Sequence, residues 1–179
     1  IFHALKKILK QNGHSTGVGD EGGFAPNCKN NEEPLEFLLQ AIEAAGYKAG
    51  SQVGIALDPA VSELWKDGHY EFAKSGAGAK SSDEMIAMWE GWLSKYPIVS
   101  LEDGLAENDW AGWTKLNAQM GKRVQLVGDD FLVTNTKFLK RAIDENCANS
   151  ILVKVNQIGS LTEAMEAVKM AQTAGWTAV

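Results

Sequence analysis

The stretch PIVSLEDGLAENDWAGWTKLNAQMGKRVQLVGD, residues 97–129, contains the repeating unit that decides the fold. An apolar run, Pro97–Glu102, has the composition of a strand and ends in an acid. Residues Glu107–Met120 then follow a helical pattern that stops at Gly121. A second apolar run, Val124–Asp129, again ends in an acid. Strand, helix and strand in this order predict a βαβ unit with parallel strands.

The same alternation continues on both sides of this stretch. Further strands are predicted at Val53–Asp58, Ser150–Val155 and Trp176–Val179. Further helices are predicted at Ser81–Tyr96, Thr136–Asn146 and Ser160–Ala174, with capping boxes Ser81/Glu84 and Ser160/Glu163. Residues 69–80 are interpreted as a small excursion with turns at Gly76 and Gly78. The pattern predicts an α/β fold with a parallel sheet, and leaves a doubly wound sheet and a (β/α)₈ barrel as alternatives.

The first 50 residues follow a different pattern. A lysine-rich helix, Phe2–Gln11, and an amphipathic helix, Glu32–Ala45, flank a long glycine-rich loop at Asn12–Asn31. A loop of this length inside a compact domain is usually functional or disordered. Its string TGVGDEGGFAPN, residues 16–27, sets Glu21 among glycines that allow close approach to a ligand. It fits neither a P-loop nor a dinucleotide fingerprint, and a plain surface turn remains an alternative.

Composition limits the class of protein. The 179 residues are 45% hydrophobic and 22% charged, with a formal net charge of −6, as expected for one globular domain without a basic surface for nucleic acid. The sequence shows neither an apolar run that could span a bilayer nor a secretory signal. The isolated cysteines Cys28 and Cys147 argue against a disulfide framework or a zinc site. Because the chain begins at Ile1, we expect its natural N-terminus to be missing.

Ionisable residues recur where the predicted strands end. Asp58, Glu102 and Asp129 each close a strand, and Lys154 lies near the end of the next. The carboxyl ends of parallel strands meet at one edge, where α/β folds build their sites. Three carboxylates suit Mg²⁺ or Mn²⁺, and a nearby lysine is a candidate general base for proton abstraction next to a carboxylate. Helix-capping acids and a structural salt bridge at Lys154 remain the alternative.

Five long strings, in order, resemble segments of the enolase family. They are VGDEGGFAPN (18–27), ALDPAVSEL (56–64), SLEDGLAENDWAGW (100–113), QLVGDDFLVTNTK (125–137) and ILVKVNQIGSLTEA (151–164). The resemblance covers essentially the whole chain. It implies that residues 1–179 are an internal piece of the C-terminal barrel domain, an incomplete TIM-type (β/α)₈ barrel: helix, active-site loop and helix over 1–50, then βα units over 51–179.

The resemblance also implies an activity, the magnesium-dependent, reversible dehydration of 2-phosphoglycerate to phosphoenolpyruvate in glycolysis. It implies that Glu21 is the proton donor and that Lys154 is the proton acceptor, the lysine-and-magnesium arrangement known for this superfamily. Asp58, Glu102 and Asp129 correspond to the ligands of Mg²⁺, and Glu102 and Asp129 also lie beside the substrate. The metal is expected to lower the pKa of the lysine. Asp130 is a neighbouring acid.

Partners and location follow from the same resemblance. We expect a cytoplasmic homodimer or larger homo-oligomer when the protein is full length, with no nucleic acid partner and no membrane span. Some family members are also found at the cell surface after non-classical export, where they bind plasminogen. The family's N-terminal domain, its SHRSGE string and its last strands are absent, so we expect this piece alone to be inactive. A superfamily enzyme with another substrate, a binding protein and a purely structural βα module are the rival interpretations.

Overall fold

The computed structural model describes residues 1–72, 76 and 78–179. These residues form two compact units, an N-terminal unit of residues 1–54 with Gly76, and a sheet unit of Ile55–Phe72 with Gly78–Val179. The elements in chain order are α1 Phe2–Gln11, α2 Glu33–Ala44, β1 Ile55–Leu57, a 3₁₀ helix Val61–Leu64, β2 Trp65–Lys66, β3 His69–Phe72, β4 Gly78–Lys80, α3 Ser82–Lys95, β5 Ile98–Glu102, α4 Trp110–Met120, β6 Gln125–Gly128, α5 Thr136–Asp144, β7 Ser150–Ile151, α6 Val155–Ile158, α7 Leu161–Thr173 and β8 Thr177–Ala178.

The N-terminal unit is built on helices α1 and α2, which pack against each other. The apolar face of α2 buries Leu35 and Ile42, as its 3.6-residue spacing predicts. Between the helices, an isolated antiparallel β-bridge pairs Val18 with Phe24. The ring of Phe24 stacks on the ring of Phe2, with 4.5 Å between the ring centroids. The predicted helix boundaries are confirmed to within one residue, and the loop between the helices is anchored at its glycine-rich end.

The sheet unit contains a parallel sheet of five described strands in the order β1-β5-β6-β7-β8. Spatial order follows chain order without the reversal that defines a doubly wound sheet, so the arrangement is that of a barrel wall. Register sets Leu57 beside Leu101, and Glu102 beside Val127. Within the described residues β1 and β8 are the edges of this sheet, so the barrel is not closed in this chain. The α/β fold class predicted from the sequence is confirmed.

The excursion predicted between β1 and α3 is an antiparallel sheet of the described strands β2, β3 and β4. Its strands were not predicted individually. Gly76 and Gly78 adopt left-handed backbone angles, with φ of 67° and 75°, as expected for turns, while residues 73–75 and 77 lie outside the described residues. Tyr70 on β3 is fully buried and its hydroxyl donates to Asp109 Oδ2 at 2.8 Å.

Asp109 also explains why α4 begins later than the predicted Glu107. Its carboxylate caps the helix by accepting from the Gly112 amide at 3.0 Å, and it accepts from the Ser82 hydroxyl at 2.5 Å. One buried acid thus joins β3, α3 and α4. The capping box of Ser81 and Glu84 is confirmed in both directions. At the second predicted box, the Ser160 hydroxyl caps the helix and also binds the Glu163 carboxylate.

The predicted strand Ser150–Val155 is wrong in its second half. Strand β7 ends at Ile151, and Val155 begins the short helix α6. The Val153 amide still donates to the Val179 carbonyl at 2.9 Å, whereas the next amide, that of Lys154, donates to the Thr134 hydroxyl at 2.9 Å. Lys154 therefore lies on the connection after the strand, at the N-cap of α6. Among the helices of the described residues, none has the length and apolar character needed to cross a membrane.

Candidate active site

The carboxyl edge of the parallel sheet gathers the four strand-end residues predicted from the sequence. Asp58 directly follows β1, Glu102 is the last residue of β5, and Asp129 directly follows β6. Because Leu57 pairs with Leu101 and Glu102 pairs with Val127, the three acids occupy neighbouring positions along this edge. Lys154 reaches the same edge from the connection after β7, where its ammonium contacts Asp129.

Glu102 is a partly buried acid with other acids around it. Burial raises its pKa to about 7, and the negative charges of Asp58, Asp129 and Asp103 act in the same direction, while Lys154 opposes them. Neighbouring carboxylates repel each other when all of them are ionised. A bound cation would offset this repulsion and stabilise their charged forms. The donor set consists of hard oxygen atoms without Cys or His, which fits Mg²⁺ or Mn²⁺ better than zinc.

Lys154 and Asp129 form an ion pair. Lys154 Nζ donates to Asp129 Oδ2 at 2.5 Å, and 10% of the Asp129 side chain is exposed against 43% of the lysine. The hydrogen bond to Asp129 raises the pKa of Lys154 above its ordinary value. Asp129 thus holds the proton on the lysine. Lowering of this pKa by a bound metal stays a prediction.

Asp103 is a buried site residue that the sequence interpretation missed. It is 3% exposed, and its two carboxylate oxygens accept the backbone amides of Asp129 at 3.0 Å and Asp130 at 2.8 Å. Burial raises its pKa to about 6, although both hydrogen bonds act to lower it. Asp103 therefore fixes the backbone on which Asp129 stands. The doubled acids at 102–103 and 129–130 were the signal that could have indicated it.

Asp103, Asp129 and Asp130 each offer a carboxylate oxygen within 4.8 Å of the others and could hold a metal ion. Asp130 is exposed, whereas the other two are buried. Both oxygens of Asp103 already accept backbone amides, which favours a supporting role over ligation. Asp129 belongs to this group and to the predicted ligand set, so it is the common element of either arrangement.

Two further residues that the sequence interpretation missed, Thr134 and Gln157, contact the ion pair. Thr134 is fully buried, and its hydroxyl donates to Gln157 Oε1 at 2.8 Å. Gln157 Nε2 in turn donates to Asp129 Oδ1 at 2.7 Å. In the sequence they are one of several threonines and glutamines, and no local pattern distinguishes them.

Glu21 lies in the N-terminal unit, in the glycine-rich loop. It is exposed, and two backbone hydrogen bonds close the turn around it. The Gly19 amide donates to the Gly23 carbonyl at 2.9 Å, and the Gly22 amide donates to the Gly19 carbonyl at 3.0 Å. Gly22 has a left-handed φ of 84°, which explains a glycine there. Its role as proton donor stays a prediction from the resemblance.

Comparison with known families agrees with the barrel arrangement of the strands. The chain matches the family described as enolase, C-terminal TIM barrel domain, over residues 1–179. The chain belongs to this family. The enolase C-terminal barrel domain accounts for the parallel strands in sequential order, for the helices between them, and for a site at the carboxyl edge of the strands. It also indicates an enzyme of the enolase superfamily, a lyase whose buried aspartates could hold a metal ion.

Proposed function

We propose that the full-length protein containing this chain is an enolase that catalyses the magnesium-dependent, reversible dehydration of 2-phosphoglycerate to phosphoenolpyruvate. The observation that supports this most strongly is the contact of Lys154 Nζ with Asp129, 2.5 Å apart at the acidic edge of an enolase-family barrel sheet. A lysine within reach of metal-binding carboxylates is the arrangement that proton abstraction beside a carboxylate requires.

Asp58, Glu102 and Asp129 are the proposed ligands of Mg²⁺, and Glu102 and Asp129 also lie beside the substrate. When bound, the ion would neutralise the negative charge that builds up on the substrate carboxylate. The pKa of Glu102 is raised by burial and then by the negative charges of the other acids, and this supports the set because a bound cation would favour the ionised carboxylates. Asp103 keeps Asp129 in place through the backbone.

Lys154 is the proposed base. Its neutral amine takes the proton from C2, and the electron pair left behind forms the C2=C3 double bond as the C3 hydroxyl departs. The ion pair with Asp129 favours the charged lysine, so this contact must weaken before Lys154 can accept the proton. Side-chain exposure of 43% leaves the lysine accessible to a substrate.

Glu21 is the proposed acid that protonates the departing hydroxyl, so that water is released. Its place in an exposed, glycine-rich turn suits a group that approaches a bound ligand. In this reaction the C2 proton goes to Lys154, and the C3 hydroxyl leaves as water after it takes the proton of Glu21.

We further propose a cytoplasmic homodimer or larger homo-oligomer, without a nucleic acid partner. The net charge of −6 bears only on the last point, since it gives no sign of a basic surface for nucleic acid. Display at the cell surface with plasminogen binding is a separate proposal from the family resemblance, and magnesium is not needed for it. The 179-residue chain alone is expected to be inactive, because its described strands do not close the barrel.

The test follows phosphoenolpyruvate absorbance with the full-length protein, 2-phosphoglycerate and Mg²⁺. We expect activity that disappears with a chelator, and Lys154→Ala should lower kcat about 10²–10⁴-fold. Lys169→Ala, an exposed lysine on α7, is the matched control and should retain activity. A folded wild-type protein that leaves this substrate unchanged would contradict the proposal and indicate a superfamily enzyme with another substrate.

A further inference from the structure

Lys154 and Asp129 are linked twice, once directly and once through a side-chain relay. The direct link is the ion pair between Lys154 Nζ and Asp129 Oδ2 at 2.5 Å. In the relay, the Lys154 amide donates to Thr134 Oγ1 at 2.9 Å, Thr134 donates to Gln157 Oε1 at 2.8 Å, and Gln157 Nε2 donates to Asp129 Oδ1 at 2.7 Å. The four residues form a closed hydrogen-bonded ring.

The ring assigns one partner to each oxygen of Asp129. Gln157 takes Oδ1 and Lys154 takes Oδ2. The Asp129 carboxylate only accepts, so the Gln157 amide turns Nε2 towards it, and Oε1 on the other side accepts from the Thr134 hydroxyl. An amide is suited to this position since it donates to a carboxylate without carrying a charge.

The backbone that carries Thr134 is held in an unusual conformation. Val133 and Thr134 have positive φ angles of 43° and 56°, which β-branched residues rarely adopt. The turn is held by the Val133 amide, which donates to the Asp129 carbonyl at 2.7 Å, and by the Asn135 amide, which donates to the Leu132 carbonyl at 2.8 Å. Strained conformations of this kind persist at functional sites, where they aim a particular group. Here the group aimed is the buried Thr134 hydroxyl.

We propose that Thr134 and Gln157 are positioning residues that hold Asp129 and Lys154 in the geometry needed for metal binding and proton transfer. This inference rests on the proposed function and deepens it. Neither residue is assigned contact with the substrate. Gln157 acts through the aspartate, and Thr134 acts through both Gln157 and the Lys154 backbone.

The test compares Gln157→Leu and Thr134→Val, which remove the relay at similar volume, with Thr134→Ser, which keeps the hydroxyl. Gln172→Leu, at an exposed glutamine on α7, is the matched control. Magnesium affinity is measured by calorimetry on the full-length protein, and kcat and KM are measured on 2-phosphoglycerate. We expect Gln157→Leu and Thr134→Val to lose about 10–100-fold in magnesium affinity or in kcat, the range typical of groups that support metal ligands.

A positioning role also predicts which quantities stay the same. Thr134→Ser and Gln172→Leu should remain within about twofold of wild type, against the losses expected for groups that support ligands. The fall in activity should appear in kcat with KM little changed. Urea unfolding of Thr134→Val should stay cooperative, which separates misplacement of the ring from loss of the fold.

The inference is overturned if Gln157→Leu and Thr134→Val bind magnesium and turn over substrate as wild type does. It is also overturned if Thr134→Ser loses as much as Thr134→Val, because the hydroxyl would then be irrelevant. If Gln157→Leu fails to fold, the comparison of Thr134→Val with Thr134→Ser still tests the inference. An inactive wild-type protein that still binds magnesium would instead refute the substrate assignment, and the affinity ratios of the variants would still test the ring.

Discussion

The glycine-rich loop at residues 12–31 and the loop after β6 at residues 129–135 both carry acids, but these acids differ in exposure and in the groups that bind them. In the first, Glu21 is exposed on a turn closed by backbone bonds among its own glycines. In the second, Asp129 as a whole residue is 7% exposed and is bound by groups from the connections that follow β5 and β7. The difference matches the roles proposed for the two acids, since one must approach the substrate and the other must stay fixed.

The largest effect should come from removing the acid of the first loop. Glu21→Gln in the full-length protein should lower the dehydration rate about 10²–10⁴-fold. Because the side chain is exposed, the free energy of unfolding should change by less than about 0.5 kcal/mol. Exchange of the C2 proton with D₂O, followed by NMR, should persist in Glu21→Gln and be lost in Lys154→Ala. Loss of exchange in both variants would contradict the separate roles.

Next in size is the effect of Asp103→Asn on stability. One carboxylate oxygen becomes an amide that faces a backbone N–H of Asp129 or Asp130. Leaving a buried donor without an acceptor should cost about 1–3 kcal/mol, measured from the urea midpoint at unchanged slope. The control is Asp20→Asn in the exposed loop, which should stay within about 0.5 kcal/mol. Equal effects of the two substitutions would remove the contrast between the loops.

A further effect is expected on the pH dependence of stability of the metal-free protein. Burial, the largest cause, and neighbouring acids raise the pKa of Glu102 from 4.5 to about 7 and that of Asp103 from 3.8 to about 6. A carboxyl whose pKa is raised by folding stabilises the protein below its unfolded pKa, and this stability is lost as pH rises through the folded pKa. With a chelator present, the melting temperature should therefore fall between about pH 5 and about pH 8.

Two additions sharpen this test. Glu102→Gln should flatten the decrease, because the group with the larger raised pKa is gone. Magnesium should restore stability mainly at the higher pH, since it binds ionised carboxylates. A melting temperature that instead rises across this pH range would contradict the raised pKa values of Glu102 and Asp103.

The smallest effect compares two neighbouring glycines in the first loop. A Cβ at Gly22 or Gly23 would meet nothing within 4 Å, but Gly22 has a φ of 84°. Gly22→Ala should thus cost about 1–2 kcal/mol of local stability through backbone strain alone. Gly23→Ala should change it by less than about 0.5 kcal/mol. Limited proteolysis within residues 12–31 measures the difference, and equal cleavage rates would show that the left-handed turn does not restrain this loop.

Much of the fold could be predicted because the chain repeats a strong local pattern. The helices α1 and α2 match their predicted bounds closely, and the alternation of strands and helices predicted the parallel sheet. The strand around Lys154 was predicted too long, since an apolar string such as SILVKV favours a strand wherever it lies. In the structure the Lys154 amide instead donates to the Thr134 side chain, a contact that the local sequence does not predict. The strands of the β2–β4 sheet were too short for their pattern to be recognised.

The sequence by itself determined that acids and a lysine would share one edge of the sheet, because the carboxyl ends of parallel strands meet there. Only the tertiary structure decided which atoms contact each other. Asp103, Thr134 and Gln157 reach their partners across 26, 23 and 28 positions of sequence. Left-handed angles at Asp103, Val133 and Thr134 accompany these contacts, and at the β-branched Val133 and Thr134 they run against the residues' own preference. Residue preferences are local, whereas the ring around Asp129 exists only once distant strands lie side by side.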